Sequence, residues 1–358
     1  MSRNYRIAVI AGDGIGPEVV REGLRVLEHT AAMHGFRVGP TRYPFGAEHY
    51  LKTREVFPDA AFTEVRTHDA ILLGAIGDPR IEVGLLEFGI IAKMRFELDL
   101  YVNLRPVKLY AEHLCPLKDT KPEDVNFVVV RENTEDAYAG MRGFFKRGTP
   151  DEVATQEIIF TRKGVERAVR YAFELARKRG RAKKLTLIDK ANAVRAMDLW
   201  TRTFAEVGAE YPDIARDHQY IDAACMYVVR DPHQYDTVVT SNMFGDIFTD
   251  LSAMIQGGLG IAASGNIHPG RVSLFEPIHG SAPKYANQNV ANPIATIMAT
   301  AMMLEYLSET RAARHIEDAV AGLLRSKRLP SLGTDSGLST SQIGDLVIEA
   351  MEKAGVPA

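Results

Sequence analysis

Ile7-Ala8-Val9-Ile10-Ala11-Gly12-Asp13-Gly14-Ile15-Gly16-Pro17 is the stretch on which the fold turns. An apolar run enters a loop with glycine at every second position, and a proline follows. A buried strand feeding a glycine loop that opens a helix is the context of a dinucleotide fingerprint. The spacing is wrong for one. The loop is G-x-G-x-G rather than G-x-G-x-x-G, and no acidic residue clearly closes a second strand to meet the ribose. A tight strand-to-helix turn explains the same residues, with Pro17 at the first helical position where no amide bond is lost. A standard Rossmann phosphate loop is therefore not expected.

Outward from this stretch, short apolar runs alternate with amphipathic ones, the pattern of a βαβ protein. Strands are expected at Ile7–Ala11, Ala70–Leu73, Val125–Val130, Leu185–Ile188 and Thr237–Thr240. Helices are expected at Pro17–Met33, Thr161–Arg179, Asn292–Glu309 and Thr340–Lys353. In the second of these, Val165, Ala168, Val169, Ala172 and Leu175 recur at three and four residues, so one face is buried. No repeat or Pro/Ser-rich linker divides the chain. Two domains, if present, are interleaved rather than strung in series.

The 358 residues allow two domains, and 46% hydrophobic content supplies an ample core. A net charge of −3 excludes a nucleic-acid footprint built on basic excess, while leaving room for a local arginine cluster. Cys115 and Cys225 are the only cysteines and have no metal-ligand spacing, which fits a reducing cytoplasm. Ile7–Ala11 is too short for the core of a signal peptide, and no stretch approaches a membrane span. The expected address is cytoplasmic.

Arg95, Arg105 and Arg131 lie near strand-like segments, and guanidinium groups pair bidentately with carboxylates. Arg131 closes the apolar run Phe127–Val130, at the strand end where α/β proteins bind ligands. If a helix begins near Phe244, Asp246 and Asp250 are four apart and share a face. Such a pair repels unless a cation lies between, and Mg²⁺ or Mn²⁺ is suited to it. A helix cap at Asp246 and a solvated Asp250 fit the same spacing. Asp222 follows Tyr220-Ile221 as a third carboxylate. Lys190, in Asp189-Lys190-Ala191-Asn192, and Tyr138 are candidate proton carriers. His279 stands in a Gly-, Ser- and Pro-rich loop able to approach a ligand closely.

Leu104-Arg105-Pro106, Asp189 to Asn192, Asn242 to Asp250 and Glu276 to Pro283 occur in one order along nearly the whole chain. That ordered set resembles the β-decarboxylating dehydrogenases, the family of isocitrate, isopropylmalate, homoisocitrate and tartrate/malate dehydrogenases. Arg95-Phe96-Glu97-Leu98-Asp99, Gly148-Thr149-Pro150 and Ala262 to Ile267 resemble most the actinobacterial type of 3-isopropylmalate dehydrogenase. The resemblance implies a two-domain α/β fold that is not standard Rossmann. Residues 1–103 and 250–358 would form a large dinucleotide-binding domain, and 104–249 a small domain with the contact of a homodimer.

It further implies metal-dependent oxidative decarboxylation of a 3-substituted malate with reduction of NAD or NADP. Arg95, Arg105 and Arg131 would bind the substrate carboxylates. Asp246 and Asp250 would hold Mg²⁺ or Mn²⁺ with Asp222 of the partner subunit, which also borders the substrate. Tyr138 and Lys190 of the partner subunit would handle protons. His279, Gly280, Ser281, Ala282, Pro283 and Asn292 would line the dinucleotide site. Isocitrate enzymes resembled here place a serine and an asparagine six and four residues before the first arginine, to hold a third carboxylate. Gly89 and Ile91 stand there instead, and an apolar wall of Ile90, Ile91 and Ala92 suits an alkyl group. Arg131-Glu132-Asn133-Thr134-Glu135-Asp136 departs from this and looks like the isocitrate enzymes.

Isopropylmalate dehydrogenases resembling this chain carry an aspartate after the His-Gly-Ser-Ala-Pro loop, where Lys284 and Tyr285 stand here. An ammonium attracts the 2′-phosphate that a carboxylate would repel, so NADP is expected over NAD. Competing readings are another metal-dependent α/β enzyme and a regulatory homologue. The first would not need the His279–Pro283 loop, and the second usually loses catalytic residues.

Overall fold

The computed structural model describes residues 3–356. In chain order it runs β1 (Asn4–Gly12), α1 (Gly16–His34), β2 (Arg37–Tyr43), α2 (Ala47–Thr53), α3 (Asp59–Val65), β3 (Ala70–Ala75) and α4 (Lys93–Glu97). There follow β4 (Val102–Lys108), β5 (Asn126–Glu132), β6 (Arg142–Phe145), β7 (Val153–Gln156), α5 (Arg162–Arg179), β8 (Lys184–Asp189) and α6 (Asp198–Gly208). Then come β9 (Ala215–Tyr220), α7 (Ile221–Arg230), β10 (Thr237–Thr240) and α8 (Asn242–Ile255). The chain closes with β11 (Ala263–Ile267), β12 (Leu274–Pro277), α9 (Ile294–Tyr306), α10 (Thr310–Arg325) and α11 (Thr340–Ala354).

Two compact units emerge, one of Met1–Leu100, Lys108–Pro122 and Ala253–Ala358, the other of Tyr101–Val107 and Glu123–Ser252. Residues 108–122 group with the chain ends, whereas the family resemblance had placed them in the middle domain. The cause is local. Lys108 donates its amide to Gln256 and its ammonium to Glu317, and Tyr110 also bonds Glu317. Leu114 packs against the backbone of Gly257.

In the first unit the strand order is β2-β1-β3-β12-β11. β1 runs parallel to β2 and β3, β3 is parallel to β12, and β11 returns antiparallel. Side chains alternate across a strand, so Ala8, Ile10, Ile71 and Leu73 share one face. They pack there with Phe45, Phe57, Phe62, Leu86, Ile90 and Met94. Elsewhere in this unit α1, α9, α10 and α11 pack on one another. Both strand faces are buried, which explains why the parallel strands read as unbroken apolar runs.

In the second unit the order is β4-β5-β10-β8-β9, with β5, β10, β8 and β9 mutually parallel. α5 lies on this sheet through Val165, Ala168, Val169, Ala172 and Phe173, all fully buried. Thr161 caps its first turn by accepting from the Gly164 amide. β6 and β7 form a separate antiparallel hairpin. Among the described residues no helix is long and apolar enough to cross a membrane.

Candidate active site

Parallel α/β sheets gather function where strands end and helices begin, because backbone groups and helix N-termini converge there. In the second unit that edge carries Arg131 at the end of β5, Lys190 just beyond β8, Asp222 in the first turn of α7, and α8 immediately after β10. The expected helix near Phe244 is α8, so Asp246 and Asp250 do share a face.

The two carboxylates meet two arginines. Arg131, 2% exposed, donates to Asp246 Oδ1 at 2.5 Å and to Asn242 Oδ1 at 3.0 Å. Arg105, 5% exposed, donates to Asp246 Oδ1 at 3.1 Å and to Asp250 Oδ1 at 3.4 Å. It is steadied by Asn103 at 2.7 Å and Thr249 at 2.6 Å. Buried guanidinium groups need this many acceptors, because an unpaired buried charge is costly. Burial pushes the Asp250 carboxyl up, the Arg105 charge draws it down, and Asp246 pushes it up again. Gly245 makes the arrangement possible: a β-carbon there would lie 2.6 Å from the Arg131 side chain.

Tyr138, on the turn Asp136–Ala139, donates to Asp246 Oδ2 at 3.3 Å. Burial and then the Asp246 charge raise its phenol pKa, so it keeps its proton at neutral pH. Lys190 is engaged separately, with Asp222 at 2.7 Å, and this contact holds the Asp222 carboxyl below the usual range. Within one chain, then, Asp246 and Asp250 come together and Asp222 does not join them. Among the described residues no trio of His, Cys, Asp or Glu forms a ready metal site. The donor set fits a hard divalent cation as far as it goes, with two carboxylates a helical turn apart.

The first unit carries the remaining residues. Arg95 donates to Glu276 Oε1 at 3.1 Å, and Asn266 donates to the same oxygen at 2.8 Å. Arg95 Nε is buried and finds no acceptor among the described residues, as a donor reserved for a ligand would. Ile90 is fully buried in the core of this unit, so it cannot belong to a substrate-facing wall, whereas Ile91 is half-buried. The segment Glu87–Ala92 is a π-helical turn, whose wider winding sends Ile90 inward.

The glycine loop is a structural turn with a close neighbour. Asp13 is buried and accepts from the Ala47 and Gly77 amides at 2.6 and 2.9 Å. Ile15 donates its amide to the Ser281 carbonyl at 2.8 Å, which ties this turn to the His279–Pro283 loop. His279 Nε2 and Asn292 Nδ2 are both buried without hydrogen-bond partners among the described residues. Burial lowers the His279 pKa, so the ring is neutral. Asn292 spends its carbonyl oxygen on the Ile294 amide, which is why α9 starts at Ile294 and not at Asn292. Two orphaned donor-capable groups, one in this loop and one just before α9, fit a polar cofactor. Lys284 is exposed, with its ammonium 4.6 Å from the Tyr285 ring centre.

Sequence reasoning assigned no role to Asn103, Asn242, Thr249 or Glu276. Asn103 had a signal, being two residues from Arg105 on one strand and so on the same face. Glu276 had none, because only the β11–β12 pairing brings it opposite Ser264 and near Asn266.

The isocitrate/isopropylmalate dehydrogenase family matches residues 6–347. A 3-isopropylmalate dehydrogenase of Thermobifida fusca is 49% identical over 99% of both chains. One from Frankia casuarinae is 51% identical over 90% of this chain and 93% of its own. The crystal structure of isocitrate dehydrogenase from Methylococcus capsulatus superposes with a TM-score of 0.88 at 38% identity, covering 97% of this chain and 99% of that one.

Proposed function

The chain belongs to the isocitrate/isopropylmalate dehydrogenase family, and from that premise we propose that it oxidises and decarboxylates 3-isopropylmalate with reduction of NADP. One observation carries the chemistry: two buried arginines, the Asp246–Asp250 pair and a protonated Tyr138 converge at one strand edge.

Arg95, Arg105 and Arg131 hold the substrate carboxylates. Arg105 pairs with Asp246 and Asp250, and Arg131 with Asp246. Asp246 and Asp250 would hold a divalent cation together with Asp222 of the partner subunit. A nicotinamide would supply the hydride acceptor, and a divalent ion Lewis acidity. Lys190 of the partner subunit takes the hydroxyl proton, and loss of CO₂ from the 2-keto acid leaves an enolate carbon. Tyr138, which holds its proton at neutral pH, returns one there.

His279 to Pro283 and Asn292 bind the dinucleotide, with Lys284 and Tyr285 facing its 2′-phosphate. Homodimer formation is supported by exposed apolar residues in the second unit: Phe144, Phe145 and Val153 on the β6–β7 hairpin, Met226 on α7 and Ile247 on α8. Absorbance at 340 nm with isopropylmalate, isocitrate, homoisocitrate, tartrate and D-malate tests the reading, each with NAD or NADP and Mg²⁺ or Mn²⁺. Isopropylmalate should give the highest kcat/KM, and EDTA should abolish turnover. Preference for isocitrate would move specificity to the Asn133–Asp136 segment, and full activity after chelation would refute the metal assignment.

A further inference from the structure

Asp136 holds a backbone conformation that its residue type disfavours, with φ at +74°, and it is 1% exposed. A non-glycine residue pays for that geometry unless its side chain returns something, and glycine would fit without cost. The return is visible. Asp136 Oδ2 accepts from the Met243 amide at 2.9 Å, and Oδ1 accepts from the Ala137 amide at 2.7 Å.

Met243 lies in the first turn of α8, a turn that contains no acidic residue of its own. The opening amides of a helix lack internal partners and favour a nearby negative charge. Asp136 supplies both from far away in sequence. Its neighbours reinforce the link: Asn242 donates to the Glu135 carbonyl at 3.1 Å and accepts from Arg131 at 3.0 Å.

A closed ring results. Asp136 begins the turn that carries Tyr138, and α8 carries Asp246 and Asp250. The Tyr138 hydroxyl reaches back to Asp246 Oδ2 at 3.3 Å. The Asp136–Met243 bond therefore fixes the turn to the helix on one side, and Tyr138–Asp246 spans them on the other.

We propose that Asp136 is a positioning residue: by clamping the first turn of α8 to the Tyr138 turn, it sets the spacing between the proton donor and the metal-binding aspartates. This rests on the roles given above to Tyr138, Asp246 and Asp250. Asp136→Gly removes the clamp and also the backbone strain, so its fold is not placed at risk by φ. Asp136→Asn keeps an oxygen for the Met243 amide.

The test measures Mn²⁺ affinity by electron paramagnetic resonance on the purified dehydrogenase, alongside kcat and KM. Asp250→Asn serves as a control for the metal reading. Asp136→Gly should weaken Mn²⁺ binding about 10-fold and lower kcat at least as much, with KM within about threefold, and Asp136→Asn should restore both to within about threefold of wild type. Adding Tyr138→Phe to Asp136→Gly should cost less than the two losses combined, because both act on one geometry. If Asp136→Gly binds Mn²⁺ and turns over as wild type does, the clamp is overturned. If its losses are not restored by asparagine, the clamp is overturned as well. If Asp250→Asn binds Mn²⁺ normally, the metal reading fails instead. Should the glycine variant not fold, hydrogen exchange on the wild type decides. Added Mn²⁺ should slow exchange in peptides covering 136–139 and 242–246 together, and protection of one without the other refutes the coupling.

Discussion

The proposed preference for NADP rests on Lys284. Exposed and stacked over Tyr285, it presents an ammonium where a 2′-phosphate could be met by two donors at once. Lys284→Asp should shift the ratio of kcat/KM for NADP over NAD by about 10- to 100-fold toward NAD. A wild type that already prefers NAD, or a variant with an unmoved ratio, removes this role. The proposed substrate preference meets a tighter steric constraint. A β-carbon on Gly89 would stand 2.5 Å from Val56 Cγ1, so a serine cannot enter without displacing valine. Gly89→Ser with Ile91→Asn should therefore gain little activity on isocitrate, while adding Val56→Ala should raise its kcat/KM about 10-fold over the double variant. Equal rates in the two would show that Val56 is no obstacle. Arg105 and Arg131 do lie on strands beside apolar runs, whereas Arg95, read as near a strand, sits in the short helix α4. The direction of Ile90 was not legible in the sequence, because it depends on a π-helical turn that no apolar pattern announces.

α8 is the element that organises the chemistry, and its packing against β5 is where it is most sensitive. Gly245→Ala would push into the Arg131 side chain, which has no exposed space to retreat into. The expected result is a KM for the hydroxy acid raised about 10-fold, with cofactor KM unchanged. Parallel rises in both constants would mean that the helix had moved as a whole. Elements of this kind were readable in the sequence where burial is two-sided: β1, β3, β5, β8 and β10 all fall on the expected apolar runs. β2 and β9 were not, because their exposed residues break the run. β11 was hidden for another reason. Ser264, Gly265 and Asn266 are fully buried yet polar or small, and Asn266 is there to hold Glu276. A strand built to position an arginine's partner does not advertise itself by hydrophobicity.

For the molecule as a whole, stability should depend on pH through a pair of histidines in the first unit. His315, 1% exposed, meets the Met351 carbonyl through Nε2 at 3.1 Å and His34 Nε2 through Nδ1 at 3.0 Å. Donation to the carbonyl leaves Nδ1 as an acceptor, so His34 is the donor between the two rings. Burial first, then the neighbouring ring, lowers the His34 pKa from 6.5; Arg311 adds to this and Glu309 opposes it. A lowered folded-state pKa means that the unfolded chain binds a proton the native one resists. Stability is then full above pH 6.5 and falls as the pH drops below it. Thermal unfolding from pH 8 to 5.5 should show that decline, and His34→Gln, which keeps a donor without titrating, should flatten it. An equal slope in the variant would place the effect elsewhere. The interleaving of the chain has a temporal consequence. Leu274 of β12 pairs beside Ile71 of β3, so the first unit cannot complete its sheet until nearly all of the chain has left the ribosome. The second unit's parallel strands lie within one continuous middle stretch plus a short segment before it. During synthesis every strand of the second unit is available before β12, and one edge of β3 stays open until that late strand arrives, while β1 can already pair with β2 and β3.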